Sequence, residues 1–146
     1  MKEFKGRVLC PGKYVGECIV SHNGLNTLAT FQSSAIKGSK KVIASDQNNP
    51  DLYGKNITGI AVILPQTIGS TTGGMVLQVI CSMKINPACL LFSESIDSLA
   101  AAGAVLANVW ENSDMIVIDR LGKEILDAAK SGDQIEVKED GTVIIK

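Results

Sequence analysis

The stretch best suited to chemistry is Pro65-Gln66-Thr67-Ile68-Gly69-Ser70-Thr71-Thr72-Gly73-Gly74. It joins an unbroken apolar run, Gly59 to Leu64, to an amphipathic segment, Met75 to Met83. The first predicts a strand buried on both faces. The second predicts a helix, with Val76, Val79, Ile80 and Met83 at helical spacing. Open α/β sheets bind ligands outside the carboxyl ends of their strands. A helix N-terminus adds unpaired N–H groups and the positive end of the helix dipole, so it attracts anions. Gly69, Gly73 and Gly74 let backbone approach a ligand closely, and Ser70, Thr71 and Thr72 add three hydroxyls. The chemistry on offer is capture of a carboxylate or phosphate with a hydroxyl beside it. The plain alternative is a Ser/Thr cap behind a glycine turn. A P-loop is excluded because no lysine stands there, and a nucleophile elbow because Ile68 and Thr72 occupy its glycine positions.

The elements that must hold this loop follow from pattern. Phe4 to Leu9 and Val15 to Val20 predict two strands, split by the Pro11-Gly12 turn. Residues 21–56 are polar and loop-rich, with short strands expected at 25–28 and 41–44; a stretch of that kind is usually functional or covered by a partner. Ala88 to Phe92 and Met115 to Asp119 predict two further buried strands. Between them runs a helix of small residues, Leu99 to Leu106, for which Ser95 or Asp97 can serve as cap. A short helix is expected over Leu121 to Lys130, ahead of Gly132. Gln134 to Lys138 alternates, and Asp140-Gly141 turns it into Thr142 to Ile145 as a hairpin. The fold class is α/β in one domain, 1–146: a central, mostly parallel sheet, flanking helices and an antiparallel β layer.

Composition limits the function. The chain has 146 residues, with 14 basic against 15 acidic and 45% hydrophobic content. There is no basic excess for a nucleic-acid footprint. No apolar run approaches the roughly 20 residues of a membrane span. The Met1 to Lys5 start lacks an export signal's apolar region, so a cytoplasmic protein is expected. Cys10, Cys18, Cys81 and Cys89 form no Cys-x-x-Cys pair, and His22 is the one histidine. A metal or iron–sulfur site within the chain is therefore not expected, and the cysteines read as reduced, buried thiols.

The loop from Pro65 to Gly74 resembles the signature of the aconitase X small-subunit, or swivelling-domain, family: a proline, then a Gly-Ser-Ser/Thr turn opening a helix. Cys10-Pro11-Gly12 through Gly16-Glu17, Ser45-Asp46 to Pro50 ending at Gly54-Lys55, Pro87 to Phe92, and Gly132 to Val143 also resemble that family in order and spacing. The resemblance covers nearly the whole chain and implies a swivelling β/β/α-type fold. It implies the small subunit of a two-chain dehydratase, inactive without a large catalytic subunit that carries the iron–sulfur cluster. It implies that Ser70 is the base that takes a proton beside a carboxylate, with Gly69, Thr71, Thr72 and Gly73 shaping the substrate site. A helix N-terminus contributes about 0.3–1 kcal/mol to an exposed anion. Each pKa unit of a serine costs about 1.4 kcal/mol, so the other chain must supply most of the activation.

Two positions depart from the family. Members acting on phosphomevalonate typically place Arg where Ile68 stands, and the family's His-Pro is Asn49-Pro50 here. The expected substrate is therefore a small hydroxy acid such as cis-3-hydroxy-L-proline, with phosphomevalonate as the alternative. A phosphohistidine carrier is a further alternative, since Ser21-His22 with Thr72-Gly73-Gly74 echoes such domains, although Asn23-Gly24 predicts a turn after the histidine. A non-catalytic binding module is the last. An enzyme half should carry an apolar face for its partner, and Trp110 is a candidate for it, or else a core residue.

Overall fold

A computed structural model describes residues 2–38, 40–68, 73–96, 98–110 and 113–146. In chain order the strands are β1 Lys2–Lys5, β2 Arg7–Cys10, β3 Tyr14–Val20 and β4 Leu25–Asn26, and helix α1 follows at Thr27–Ile36. Then come β5 Ala61–Leu64, β6 Thr67–Ile68, α2 Gly73–Ser82, β7 Cys89–Phe92, α3 Ser98–Trp110, β8 Ile116–Asp119, α4 Glu124–Ala128, β9 Gln134–Val137 and β10 Thr142–Ile145.

Eight strands form one sheet in the order β1-β10-β9-β3-β5-β7-β8-β2. The run β3-β5-β7-β8 is parallel, and every residue of β5, β7 and β8 is buried, as unbroken apolar strands require. The remaining pairs are antiparallel. The predicted α/β class, with a parallel centre and an antiparallel layer, is the one found.

The predicted first strand is two. β1 and β2 lie at opposite ends of the strand order, yet Gly6 alone separates them. The sheet thus closes on itself through one residue. Gly6 N–H donates to the Gly141 carbonyl, 3.1 Å, while a Cβ on Gly6 would run into the Asp119 carbonyl oxygen. Only a residue without a side chain lets both edges approach here.

Two core clusters flank the sheet. One, under α1, α2 and α3, contains Phe31, Leu64, Leu77, Ile80, Phe92, Ala104 and Met115. The other, on the side of α4 and the antiparallel strands, contains Val20, Ile63, Leu91, Ile118, Ile125, Ile135 and Val143. Alternate residues of β5 and β7 feed the two clusters, so each strand is anchored on both faces.

Two other expectations change. The expected strand at 25–28 ends at Asn26, whose side chain accepts a bond from Ala29 N–H (3.1 Å) and caps α1. No strand forms at 41–44, where Ile43 makes an isolated bridge to Asn56. α1 hides in a polar-looking sequence because its buried side carries Thr27, Thr30 and Ser34 beside Phe31. α2 buries Leu77, Ile80 and Cys81, while Val79 and Met75 face out. Flanked on both sides by helices, α2 has apolar residues on most of its circumference, with Gln78 and Ser82 the exceptions, so periodicity could not pick its inner face.

Candidate functional site

The loop leaves the sheet where the pattern placed it. β5 ends at Leu64, and Pro65 passes directly to β6. β6 pairs in parallel with β4, Leu25 opposite Thr67 and Asn26 opposite Ile68, and Leu25 N–H donates to the Gln66 carbonyl at 2.8 Å. That small pairing sets the end of β6 beside the capped N-terminus of α1. Gly73 opens α2, two residues earlier than predicted, since a first turn tolerates glycine where no intrahelical bond is lost. Two helix N-termini therefore flank the segment, both bringing positive dipole ends to one rim. Gly69, Ser70, Thr71 and Thr72 lie outside the described residues, as does Asp97, one of the two caps foreseen for α3.

The neighbouring strand ends build the rest of the rim. Ser21 N–H donates to the Ile63 carbonyl (2.8 Å), Ser93 N–H to Leu64 (2.9 Å), Glu94 N–H to Pro65 (3.0 Å) and Arg120 N–H to Glu94 (3.0 Å). The residues just past β3, β5, β7 and β8 thus form one row. Ser93 is buried, and its hydroxyl has no hydrogen-bond partner among the described residues. Such an unmet polar group is rare and marks spare bonding capacity beside the loop.

Asp119 ties this rim to the closed edge. Its buried carboxylate accepts two bonds from Arg7, Nε at 2.9 Å and Nη2 at 2.7 Å, and a third from Ile96 N–H at 3.0 Å. The bidentate contact raises the Arg7 pKa further, against a smaller opposing effect of burial. One carboxylate thereby fixes β2, β8 and the approach to α3. Ser95, the other foreseen cap, instead accepts from Arg120 Nε at 3.1 Å, and Arg120 sits in the left-handed region at φ 57°. Neither arginine nor Ser93 was foreseen, because nothing in residue spacing announces a row built across four strands.

Asn49, which stands where the family has histidine, is a buried brace. Its side-chain amide bonds the Ser21 hydroxyl (3.2 Å) and its oxygen accepts from Asp51 and Leu52 N–H. His22 sits in a bend, five residues before α1, with Nε2 3.1 Å from the Leu126 carbonyl oxygen. It does not open a helix as a phosphocarrier histidine would.

The described residues do not fit a metal cluster. All four cysteines are buried and none is in a disulfide among the described residues, and no group of three His, Cys, Asp or Glu among those residues could hold an ion. Burial pushes the Cys10 and Cys18 thiols up to about 11 and raises that of Cys89 as well, so they stay protonated near neutrality. No described helix is long and apolar enough to cross a membrane.

A separate concavity, lined by Lys13, Thr58, Lys84, Asn86, Asn108 and Asp114, opens at the amino-terminal ends of β5, β7 and β8. It lies at the end of the sheet away from the loop, where parallel folds seldom place their chemistry.

Residues 3–145 match the aconitase X swivel domain. The chain belongs to that family. Its sequence is 28% identical to the phosphomevalonate dehydratase small subunit of Methanocella arvoryzae, across 96% of this chain and 94% of that one. It is also 28% identical to the protein of the same name from Thermococcus kodakarensis, across 95% and 98%. The fold matches the crystal structure of Thermococcus kodakaraensis aconitase X in its holo form, with a TM-score of 0.82 at 23% identity, over 100% of this chain and 99% of that chain. A solution NMR structure of a UPF0107 protein aligns at a TM-score of 0.77 and 20% identity, over 99% of each chain. For this swivel domain the β/β/α arrangement implied by the resemblance is the arrangement observed.

Proposed function

We propose that this chain is the small subunit of a two-chain hydro-lyase of the aconitase X type, inactive until a larger catalytic chain joins it. The observation that carries this reading is end-to-end correspondence with named dehydratase small subunits, at 94% and 98% of their length. The rim geometry supports it, because the Gly-Ser loop is flanked by two helix N-termini suited to an anionic substrate. In this reading the iron–sulfur cluster belongs to the larger chain, in keeping with the lack of a ligand set among the described residues of this one.

Ser70 is the base. Its oxygen takes the proton from the carbon beside the substrate carboxylate. The C–H electron pair becomes the new double bond, and the hydroxyl on the next carbon departs with the C–O pair and takes up a proton from an acid of the larger chain, leaving as water, after which Ser70 gives up the proton it gained. Gly69, Thr71, Thr72 and Gly73 hold the carboxylate through backbone N–H groups and hydroxyls.

The substrate we favour is a small unphosphorylated hydroxy acid of the cis-3-hydroxy-L-proline type. Ile68 carries that choice, because an apolar side chain cannot pair with phosphate as a guanidinium does. Phosphomevalonate is the second reading, favoured by the names of the curated relatives.

The test is anaerobic co-expression with the large subunit, followed by assay on both compounds. A stable complex that eliminates water from cis-3-hydroxy-L-proline is expected. A complex active on phosphomevalonate alone selects the second reading. Absence of both complex and activity contradicts the proposal and leaves a carrier or binding module.

A further inference from the structure

We infer, resting on the two-chain reading above, that the outward face of the α1–α3 layer is where the larger chain docks, with Met75 and Val79 of α2 and Leu106, Val109 and Trp110 of α3 lining it from one end to the other. The three helices, of 10, 10 and 13 residues, contain no Asp, Glu, Lys or Arg. A water-facing helix ordinarily carries charges on its outer side. Here that side is apolar: Met75 is 67% exposed, Val109 63% and Trp110 71%, with Val79, Val105 and Leu106 also exposed. On α3 the exposed Ala102, Val105, Leu106, Val109 and Trp110 lie opposite the buried Ala100, Ala104 and Ala107, so they form one stripe rather than scatter. Soluble monomers seldom show an apolar patch of this extent, and interface cores are poor in charge and rich in Met and Trp.

The occupant follows from position and charge. Met75 stands in the first turn of α2, next to the loop that opens it, so a chain seated on this face also reaches the site that loop must complete. A second copy of this chain would bring only another loop of the same kind. The layer offers no counter-charge, and a charged partner surface would be stranded against it. The partner surface is therefore apolar and uncharged. Three helices about 15–20 Å long and about 10 Å apart present on the order of 600 Å². That approaches the roughly 800 Å² each partner buries in a standard interface.

The test uses the complex with the large subunit of the same organism. Dissociation on dilution is followed by sedimentation for wild type, Val109→Lys, Trp110→Ser and Val15→Lys, the last at an exposed β3 position away from the layer. In parallel, Val109→p-benzoylphenylalanine and Val15→p-benzoylphenylalanine are irradiated in the intact complex, a readout independent of any folding defect. The expected result is affinity weakened at least 30-fold by Val109→Lys and at least 10-fold by Trp110→Ser, and under 2-fold by Val15→Lys. The adduct to the large subunit is expected from position 109 alone. Unchanged affinity, or an adduct from position 109 only to a second copy, overturns the inference while leaving the two-chain reading intact. Failure of the wild-type chain to form any complex overturns both.

Discussion

The two sides of this sheet meet water differently. On the antiparallel side, β1, β9, β10 and their turns carry exposed charges in weak pairs: Lys5–Asp140 at 4.0 Å, Lys13–Glu139 at 3.8 Å and Lys146–Glu136 at 3.8 Å. Pairs of that kind add little stability, but they mark a surface built to stay hydrated. On the other side, α1, α2 and α3 have no charge at all and turn Met75, Val109 and Trp110 outward. Both sides are anchored on the same buried strands, so core packing does not explain the contrast. On the docking proposal, the first surface is complete as it stands and the second is completed by the larger chain, from Met75 beside the Gly-Ser loop to Trp110 at the far end of α3.

The contrast can be broken most severely from within. Phe31→Ala should destabilise the fold by about 3–5 kcal/mol, because Phe31 is fully buried beneath the helical layer. Denaturant unfolding of the complex would show this as a lowered midpoint with loss of helical signal. Gly6→Ala strikes the junction of the two sides. Its new methyl meets the Asp119 carbonyl oxygen and the Ile118 side chain, and a cost of about 1–3 kcal/mol is expected by the same measurement.

The smallest effect sharpens the hydrated side. The Thr142 hydrogen bonds hold the Asp140 carboxyl below the usual carboxylate range, with Lys5 adding a lesser contribution. Its folded pKa is depressed. The stabilisation is therefore present above the ordinary carboxylate pKa and is lost as pH falls through the folded value. Asp140→Asn should narrow the stability gap to wild type as pH drops from neutral into that acid range. A gap that does not change with pH would contradict the assignment.

Much of this molecule was legible in its residues. The unbroken apolar runs at 59–64, 88–92 and 115–119 announced buried parallel strands, and Asp140-Gly141 announced the closing hairpin. The segment at 65–74 does run from a buried strand to a helix, although β6 at Thr67–Ile68 and the first turn of α2 at Gly73 lie within it. What escaped were features made by partnership across the fold. Gly6 looked like an interior strand residue, because its role is to let two distant edges meet. α1 looked like loop, because Thr27, Thr30 and Ser34 fill its buried side. Ser93, Asp119 and Arg120 each end or follow a strand, and only the sheet order brings them into one rim. Of the outward face of α2 and α3, only Trp110 was legible, as either partner face or core, and it is exposed; the rest escaped because helices with so few polar residues do not say which side meets the core.

The most direct test of the proposed chemistry is exchange of the substrate proton. In deuterated buffer, the complex should exchange the hydrogen beside the carboxylate of cis-3-hydroxy-L-proline, or of phosphomevalonate if that is the compound turned over. Ser70→Ala in the same complex should lower that exchange about 10²–10⁴-fold, the usual range for losing a positioned base, with substrate affinity within a few-fold of wild type. Exchange at the wild-type rate in Ser70→Ala would show that the base lies elsewhere and that this loop only binds.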